Sequence, residues 1–290
     1  MTAPAILSEY RSRTLCTWCD ACGNYGIWTA AKTALAELGL HPWQVCLCFD
    51  IGCNGNGSDK IEGYRFHGLH GRVIPFAAGA KLANMNVPVI AFGGDGATFS
   101  EGVGHLVHGL RSNYPITFVL HNNANYGLTT GQATSLTWQG QAMNTSPNGM
   151  PERTLASMEF IFSLNPTFVA RGFSGDIKLM TRILKAAIQH RGFAFIDMLQ
   201  ACPSYNHFAT HQYLSDRYFD ANADGHNPND LAQAKLLATQ TEERIACGLL
   251  YQSQDVPNFY ERLVARQGME TTCVEEVRKY NVSQLWADLT

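Results

Sequence analysis

Two apolar runs, PVIAFGG at 88–94 and ITFVLH at 116–121, each end abruptly in small polar residues: Gly-Asp-Gly after the first, Asn-Asn after the second. One helix-length segment separates them. Short apolar runs of this kind suit strands buried on both faces, and strands joined by single helices run parallel with helices packed on either side. The pattern recurs. VCLCFD at 45–50 reads as a strand after a helix at 24–38 that Gly39 stops, and the loop IGCNGNGSDK follows it. Residues 72–84 read as a helix with Pro75 in its first turn, and Ser100 as the cap of a helix reaching about Ser112. Strands at 167–172 and 193–199 flank a helix at 176–190. The expected fold class is therefore α/β, a doubly wound parallel sheet. Ligands bind such sheets at the carboxyl ends of the strands, so IGCN, GDGA and NNAN should meet in one crevice. From about 204 the alternation stops and helical stretches are expected near 229–247, 257–267 and 273–288. The expected organisation is a core over 1–203 and a C-terminal extension over 204–290 that packs on the core or on a partner.

Composition narrows the classes of function. The 290 residues are 46% apolar and only 16% charged, which excludes a disordered chain and suggests a subunit that hides surface against a partner. The net charge of 21 − 24 = −3 and the lack of a Lys/Arg run argue against a nucleic-acid binder. No apolar stretch approaches the roughly 18 residues of a membrane span, and MTAPAILSEYRSR lacks the apolar region of a secretory signal, so the expected location is cytoplasmic. Nine cysteines, an odd number in a long chain, point to metal or redox chemistry rather than a disulfide framework.

Asp95 and Asn123 stand at the ends of neighbouring expected strands, 28 positions apart. Magnesium prefers a few hard protein oxygens plus ligand phosphates. The Asp95 carboxylate, the Asn123 amide oxygen and the backbone carbonyl of Asn125 supply three, and Gly94 and Gly96 let backbone approach a phosphate. A lone GDG means little. GDG, this spacer and NN together resemble the magnesium–diphosphate motif of thiamine-diphosphate enzymes. No GxGxxG follows the first strand, which argues against a Rossmann dehydrogenase.

Cys19 and Cys22 form Cys-x-x-Cys, Cys53 lies in the IGCN turn, and Cys202 precedes Pro203 at the end of another expected strand. The spacing alone fits a [4Fe–4S] cluster, a zinc site, or structural or redox thiols. The ensemble is more specific. WC-x-x-CGN near the start, IGC, HGR at 70–72, GDG…NN and CP-x-YN resemble the β subunit of 2-oxoacid:ferredoxin oxidoreductases over most of 14–207, with the family's C-terminal part in ERIACGLLY and beyond. The resemblance implies that Cys19, Cys22, Cys53 and Cys202 hold one [4Fe–4S] cluster close to thiamine diphosphate. It leaves Cys16, Cys46, Cys48, Cys247 and Cys273 as inert thiols. It implies coenzyme contacts from Ile51, Gly52, Cys53, Asn54, His70, Gly94, Gly96, Ala97, Asn123, Gly127 and Leu128, and Mg2+ on Asp95, Asn123 and Asn125. His70 is the expected catalytic residue, and Arg72 the expected partner of an anionic substrate group.

Two positions depart from the family pattern: Ala97 replaces a frequent acid, and Asn125 a frequent aliphatic. The implied activity is thiamine-diphosphate-dependent oxidative decarboxylation of a 2-oxoacid to acyl-CoA and CO2, with electrons passed to ferredoxin, or the reverse. HGRVIPFAAGAKLAN and NYGLTTGQ resemble the 2-oxoglutarate type more than the pyruvate type. The implied partners are an α subunit, or α plus γ, together with ferredoxin, coenzyme A and the 2-oxoacid. Two rivals keep part of the pattern. One is a non-redox thiamine decarboxylase or carboligase with zinc in the cysteine site. The other is an electron-transfer or regulatory subunit that holds a cluster but no coenzyme.

Overall fold

The computed structural model describes residues 5–240, 243–253 and 255–289. It is built on one eight-stranded sheet. The strands in chain order are β1 (Cys46–Phe49), β2 (Tyr64–His67), β3 (Val89–Gly94), β4 (Thr117–Asn122), β5 (Phe168–Phe173), β6 (Ala194–Leu199), β7 (Tyr218–Asp220) and β8 (Ile245–Gln252). Their order across the sheet is β2-β1-β3-β4-β6-β5-β8-β7. All neighbours run parallel except β5 and β8. The helices are α1 (Asn24–Glu37), α2 (Val73–Ala83), α3 (Val103–Ser112), α4 (Ser157–Ser163), α5 (Ile177–Gln189), α6 (His211–Arg217), α7 (Leu231–Thr239), α8 (Cys273–Val277) and α9 (Ser283–Leu289).

The central strands are apolar on both faces because both faces are covered. Leu47, Ile90, Val119 and Ile196 pack toward α1 and α5 on one side. Cys48, Ala91, Phe118 and Phe195 pack with residues of α2 and α3 on the other. This is the α/β, mostly parallel sheet expected from the alternation of short apolar runs and helices. Asp176 caps α5 through its carboxylate, which accepts from the Leu179 N–H at 2.9 Å.

Three expectations need correction. Ser100 does not cap α3. The chain first makes a wide turn at Ala97–Glu101, α3 starts after Gly102, and the Ser100 hydroxyl instead meets that of Ser135 at 2.9 Å. The stretch near 229–247 is not one helix. The helix α7 stops at Thr239, and ERIACGLLY enters β8, where Gly248 at φ +112° has a backbone that a helix does not accept. The stretches at 257–267 and 273–288 break into single turns and the short helices α8 and α9. Residues beyond 204 thus contribute two strands to the same sheet.

Candidate active site

Every carboxyl-end loop named in the sequence reaches one crevice. Ile51, Gly52, Cys53 and Asn54 follow β1; Gly94, Gly96 and Ala97 follow β3; Asn123, Gly127 and Leu128 follow β4, and all line it together with His70, Asp95 and Asn125. Parallel strands in register bring these ends together. Phe49 pairs with Phe92, and Gly94 with His121, so each turn leaves the sheet at the same level. Asp50 ties two of the loops: its Oδ1 accepts from Ile51 N at 2.7 Å and from Gly71 N at 2.8 Å, which sets His70 against the crevice. Asn54 donates Nδ2 to the Phe92 carbonyl at 3.0 Å, fastening the IGCN turn to β3.

Asp95 is 1% exposed. Its Oδ2 accepts from the Thr134 hydroxyl at 2.5 Å and its Oδ1 from Asn123 N at 3.3 Å. Among the described residues it forms no ion pair, and burial pushes its pKa up to about 7. A buried carboxylate without a counter-charge fits a site for a cation. The donors around it are hard oxygens, which fits magnesium. Asn123 Oδ1 accepts from Asn125 N at 3.2 Å, and Asn125 turns its own Nδ2 back onto the Asn123 carbonyl at 2.8 Å. The Asn125 side chain is thus occupied in holding the loop, and its backbone carbonyl is the atom left for a ligand.

Gly96 is required by close approach, and Gly127 is tightly surrounded. A Cβ at Gly96 would collide with the Tyr126 ring. One at Gly127 would stand 3.2 Å from Cys53 Sγ and 3.9 Å from Cys202 Sγ, so the two sulfurs flank the glycine. Cys22 and Cys202 are buried, Cys53 half-buried and Cys19 exposed. Burial pushes the Cys53 thiol up to about 12, and negative charge on Cys22, Cys202 and Cys19 pushes the same way. The four sulfurs therefore share one electrostatic neighbourhood, which thiolates occupy comfortably only around a cationic centre such as a metal cluster. Cys202 also faces the Asn125 amide oxygen at 3.9 Å, so the cysteines adjoin the Asp95–Asn123 loops. Among the described residues no group of three or more His, Cys, Asp or Glu closes around one metal ion. A zinc tetrahedron needs thiolates about 3.8 Å apart. A four-iron cube takes one thiolate per corner and accepts a wider set.

Arg72 stands apart. It does not line the crevice, and its Nη1 donates to the carbonyls of Gly71 at 3.1 Å and Glu101 at 2.9 Å. His70 meets the Tyr126 ring edge-on at 6.0 Å between centroids, and Tyr126 donates its hydroxyl to Glu101 at 2.8 Å. His121, Tyr126 and Gln200, which carried no sequence signal, line the crevice, as does Thr129 of the hydroxyl-rich segment TTGQATSLT at 129–137, and Thr134 of the same segment reaches Asp95 from outside the crevice. The imidazole of His121 is pushed down to about 4 by burial, so it is neutral.

Comparison with known proteins agrees with this geometry. Residues 50–198 match the family described as thiamine pyrophosphate enzyme, C-terminal TPP binding domain, and 202–267 match the family described as the C terminal of the pyruvate ferredoxin oxidoreductase beta subunit. Fold and crevice thus define a thiamine-diphosphate-binding domain. A 2-oxoacid:ferredoxin oxidoreductase subunit beta of Saccharolobus solfataricus is 35% identical, covering 90% of this chain and 95% of that one. The 2-oxoglutarate oxidoreductase subunit KorB of Mycobacterium tuberculosis is 36% identical over 65% of this chain and 51% of its own length. The solved 2-oxoglutarate:ferredoxin oxidoreductase from Magnetococcus marinus, with 2-oxoglutarate, coenzyme A and succinyl-CoA bound, superposes with a TM-score of 0.85. It is 30% identical, and 98% of this chain and 96% of that one are covered. The chain belongs to the β subunits of the 2-oxoacid:ferredoxin oxidoreductases, a family of oxidoreductases.

Proposed function

We propose that this β subunit binds thiamine diphosphate through Mg2+ in the crevice, holds one [4Fe–4S] cluster on Cys19, Cys22, Cys53 and Cys202, and oxidises 2-oxoglutarate with coenzyme A and ferredoxin. The observation that carries the reading is the adjacency of two sites: Cys53 and Cys202 flank Gly127 on the same loop that presents Asn123 and Asn125 beside Asp95. Thiamine diphosphate, when bound, supplies the electron sink for decarboxylation and the cluster accepts electrons one at a time.

The chain's own residues do the placing. Asp95, Asn123 Oδ1 and the Asn125 carbonyl hold the cation that carries the diphosphate. Gly94 and Gly96 admit the phosphates, and Ile51, Ala97 and Leu128 line the crevice. Leu128, 46% exposed, is left to meet the coenzyme. His70, on the crevice wall, hydrogen-bonds a phosphate or moves a proton at the reacting carbon. Arg72 spends one donor nitrogen on backbone carbonyls beside the crevice, so the cation for a distal substrate carboxylate comes from its free donors or from the partner α subunit (or α plus γ). The C-terminal part beyond residue 204, which contributes β7 and β8 to the sheet, meets that partner. The M. tuberculosis relative and the Magnetococcus structure favour 2-oxoglutarate as substrate. Operation in reverse, fixing CO2, uses the same groups. Among the described residues no helix is long and apolar enough to cross a membrane, and the reading assigns the complex to the cytoplasm.

Iron, acid-labile sulfide and zinc per chain, on protein purified anaerobically with its partners, test the reading. About four irons and four sulfides are expected after subtracting partner clusters. Stoichiometric zinc without iron would replace it with a non-redox thiamine enzyme. Coenzyme-A-dependent reduction of a dye by 2-oxoglutarate and by pyruvate then decides the substrate.

A further inference from the structure

Five buried side-chain nitrogen or oxygen atoms lack a hydrogen-bond partner among the described residues. Three of them cluster: Asn24 Nδ2, His121 Nε2 and Gln200 Oε1. Gln200 is 2% exposed, directly follows β6, and is fixed by its backbone N–H, which donates to the Asn122 carbonyl at 2.8 Å. Its Nε2 donates to Cys22 Sγ at 3.6 Å. Its Oε1 is turned to His121, whose Nδ1 stands 2.8 Å from the Asn24 amide oxygen. The Gln200 amide thus sits between the His121 ring and the Cys22 sulfur.

We propose that Gln200 sets the reduction potential of the cluster by donating a hydrogen bond from its side-chain amide to the Cys22 sulfur. The inference rests on the reading of Cys22 as a cluster ligand. Reduction adds one negative charge to the cluster and spreads it onto the sulfurs. An N–H aimed at a sulfur therefore stabilises the reduced form and raises the potential. The Asn24 backbone N–H also donates to the Cys22 sulfur. Cys202, in contrast, faces the oxygen of the Asn125 amide. Gln200 also lines the crevice, so the donor sits in the wall between the coenzyme and the cysteines. Its effect falls on the step in which an electron crosses that wall.

Gln200→Leu removes the donor at similar volume, and Gln200→Glu replaces it with an acceptor. Both are compared with the unaltered protein in the complete, anaerobically purified complex, by redox titration followed by electron paramagnetic resonance and by iron and sulfide content. The expected result is full iron content with a more negative potential. The Leu variant shifts by a tenfold change in the reduction equilibrium, about 59 mV for a one-electron couple. The Glu variant shifts further in the same direction. An unchanged potential in iron-loaded Leu and Glu variants overturns the proposal. So does loss of iron from both, which would make Gln200 part of the scaffold rather than a tuning donor. If the unaltered chain holds no four-iron cluster, the ligand assignment fails instead, and the two failures are distinct.

Discussion

Two aspartates lie buried near the carboxyl ends of adjacent regions of the sheet, and they are treated in opposite ways. Asp197, within β6, accepts from Arg171 Nε at 3.0 Å and from Asn122 Nδ2 at 2.9 Å. Its charge is closed within the protein, and both side chains of the ion pair are under 5% exposed. Asp95, just past β3, accepts hydrogen bonds from the Thr134 hydroxyl and the Asn123 backbone, and among the described residues it forms no ion pair. Burying an unpaired carboxylate is unfavourable, and a fold retains one where something else completes it. The difference separates a charge that builds the protein from a charge that the protein presents.

That contrast can be broken experimentally, starting where the effect is largest. Asp95→Ala should abolish magnesium-dependent coenzyme binding, by more than the 10–100-fold that losing an outer partner of a metal ligand costs, while leaving the metal-free protein as stable or more so. Calorimetric titration with thiamine diphosphate and Mg2+ checks the first part, thermal unfolding the second. Unchanged affinity would remove Asp95 from the site. Arg171→Met should do the reverse. It leaves Asp197 buried and unpaired, which should destabilise the fold by about 3–5 kcal/mol in denaturant unfolding.

The pH dependence sharpens the comparison. The carboxyl of Asp95 titrates higher in the folded protein, about 7, than its reference value of 3.8. Its contribution is fully present below the unfolded value and is lost as pH rises toward 7. The metal-free chain should therefore lose up to about 4 kcal/mol between those limits, and saturating Mg2+ with coenzyme should reduce the loss. Asp95→Asn should flatten that component of the unfolding free energy measured against pH. The smallest effect belongs to Thr134→Val, which removes the hydroxyl on Asp95 Oδ2. Magnesium affinity should fall about 10-fold, and Thr134→Ser should restore most of it in the same titration.

The sequence disclosed the parts of the site that are written locally. Glycine, aspartate and asparagine at the end of an apolar run are unusual, so Asp95, Asn123 and the Cys53 turn were legible, as was the parallel core around them. Thr134 was legible only as one hydroxyl of the segment TTGQATSLT at 129–137, which resembles a family segment near the substrate; nothing local says that this hydroxyl reaches Asp95 across 39 positions. His121 looked like the last residue of a strand, and Gln200 like the residue after one. Their meaning depends on Asn24 and Cys22, which only the tertiary structure brings beside them. The edge strand β2 has the sequence YRFH and is exposed throughout, so no burial pattern marked it. In β8, Ala246, Leu249 and Leu250 favour a helix locally, and pairing with β5 overrides that preference.

That pairing also orders events in time. On one flank β5 (Phe168–Phe173) pairs with β6, close by in sequence; on the other it pairs with β8, which is made some 75 residues later. During synthesis at about 5–20 residues per second, the nascent chain shows six buried-type residues with an unfilled row of backbone donors and acceptors for several seconds. Truncation before Ile245 would make the interval permanent and turn the protein into one that pairs with its own copies.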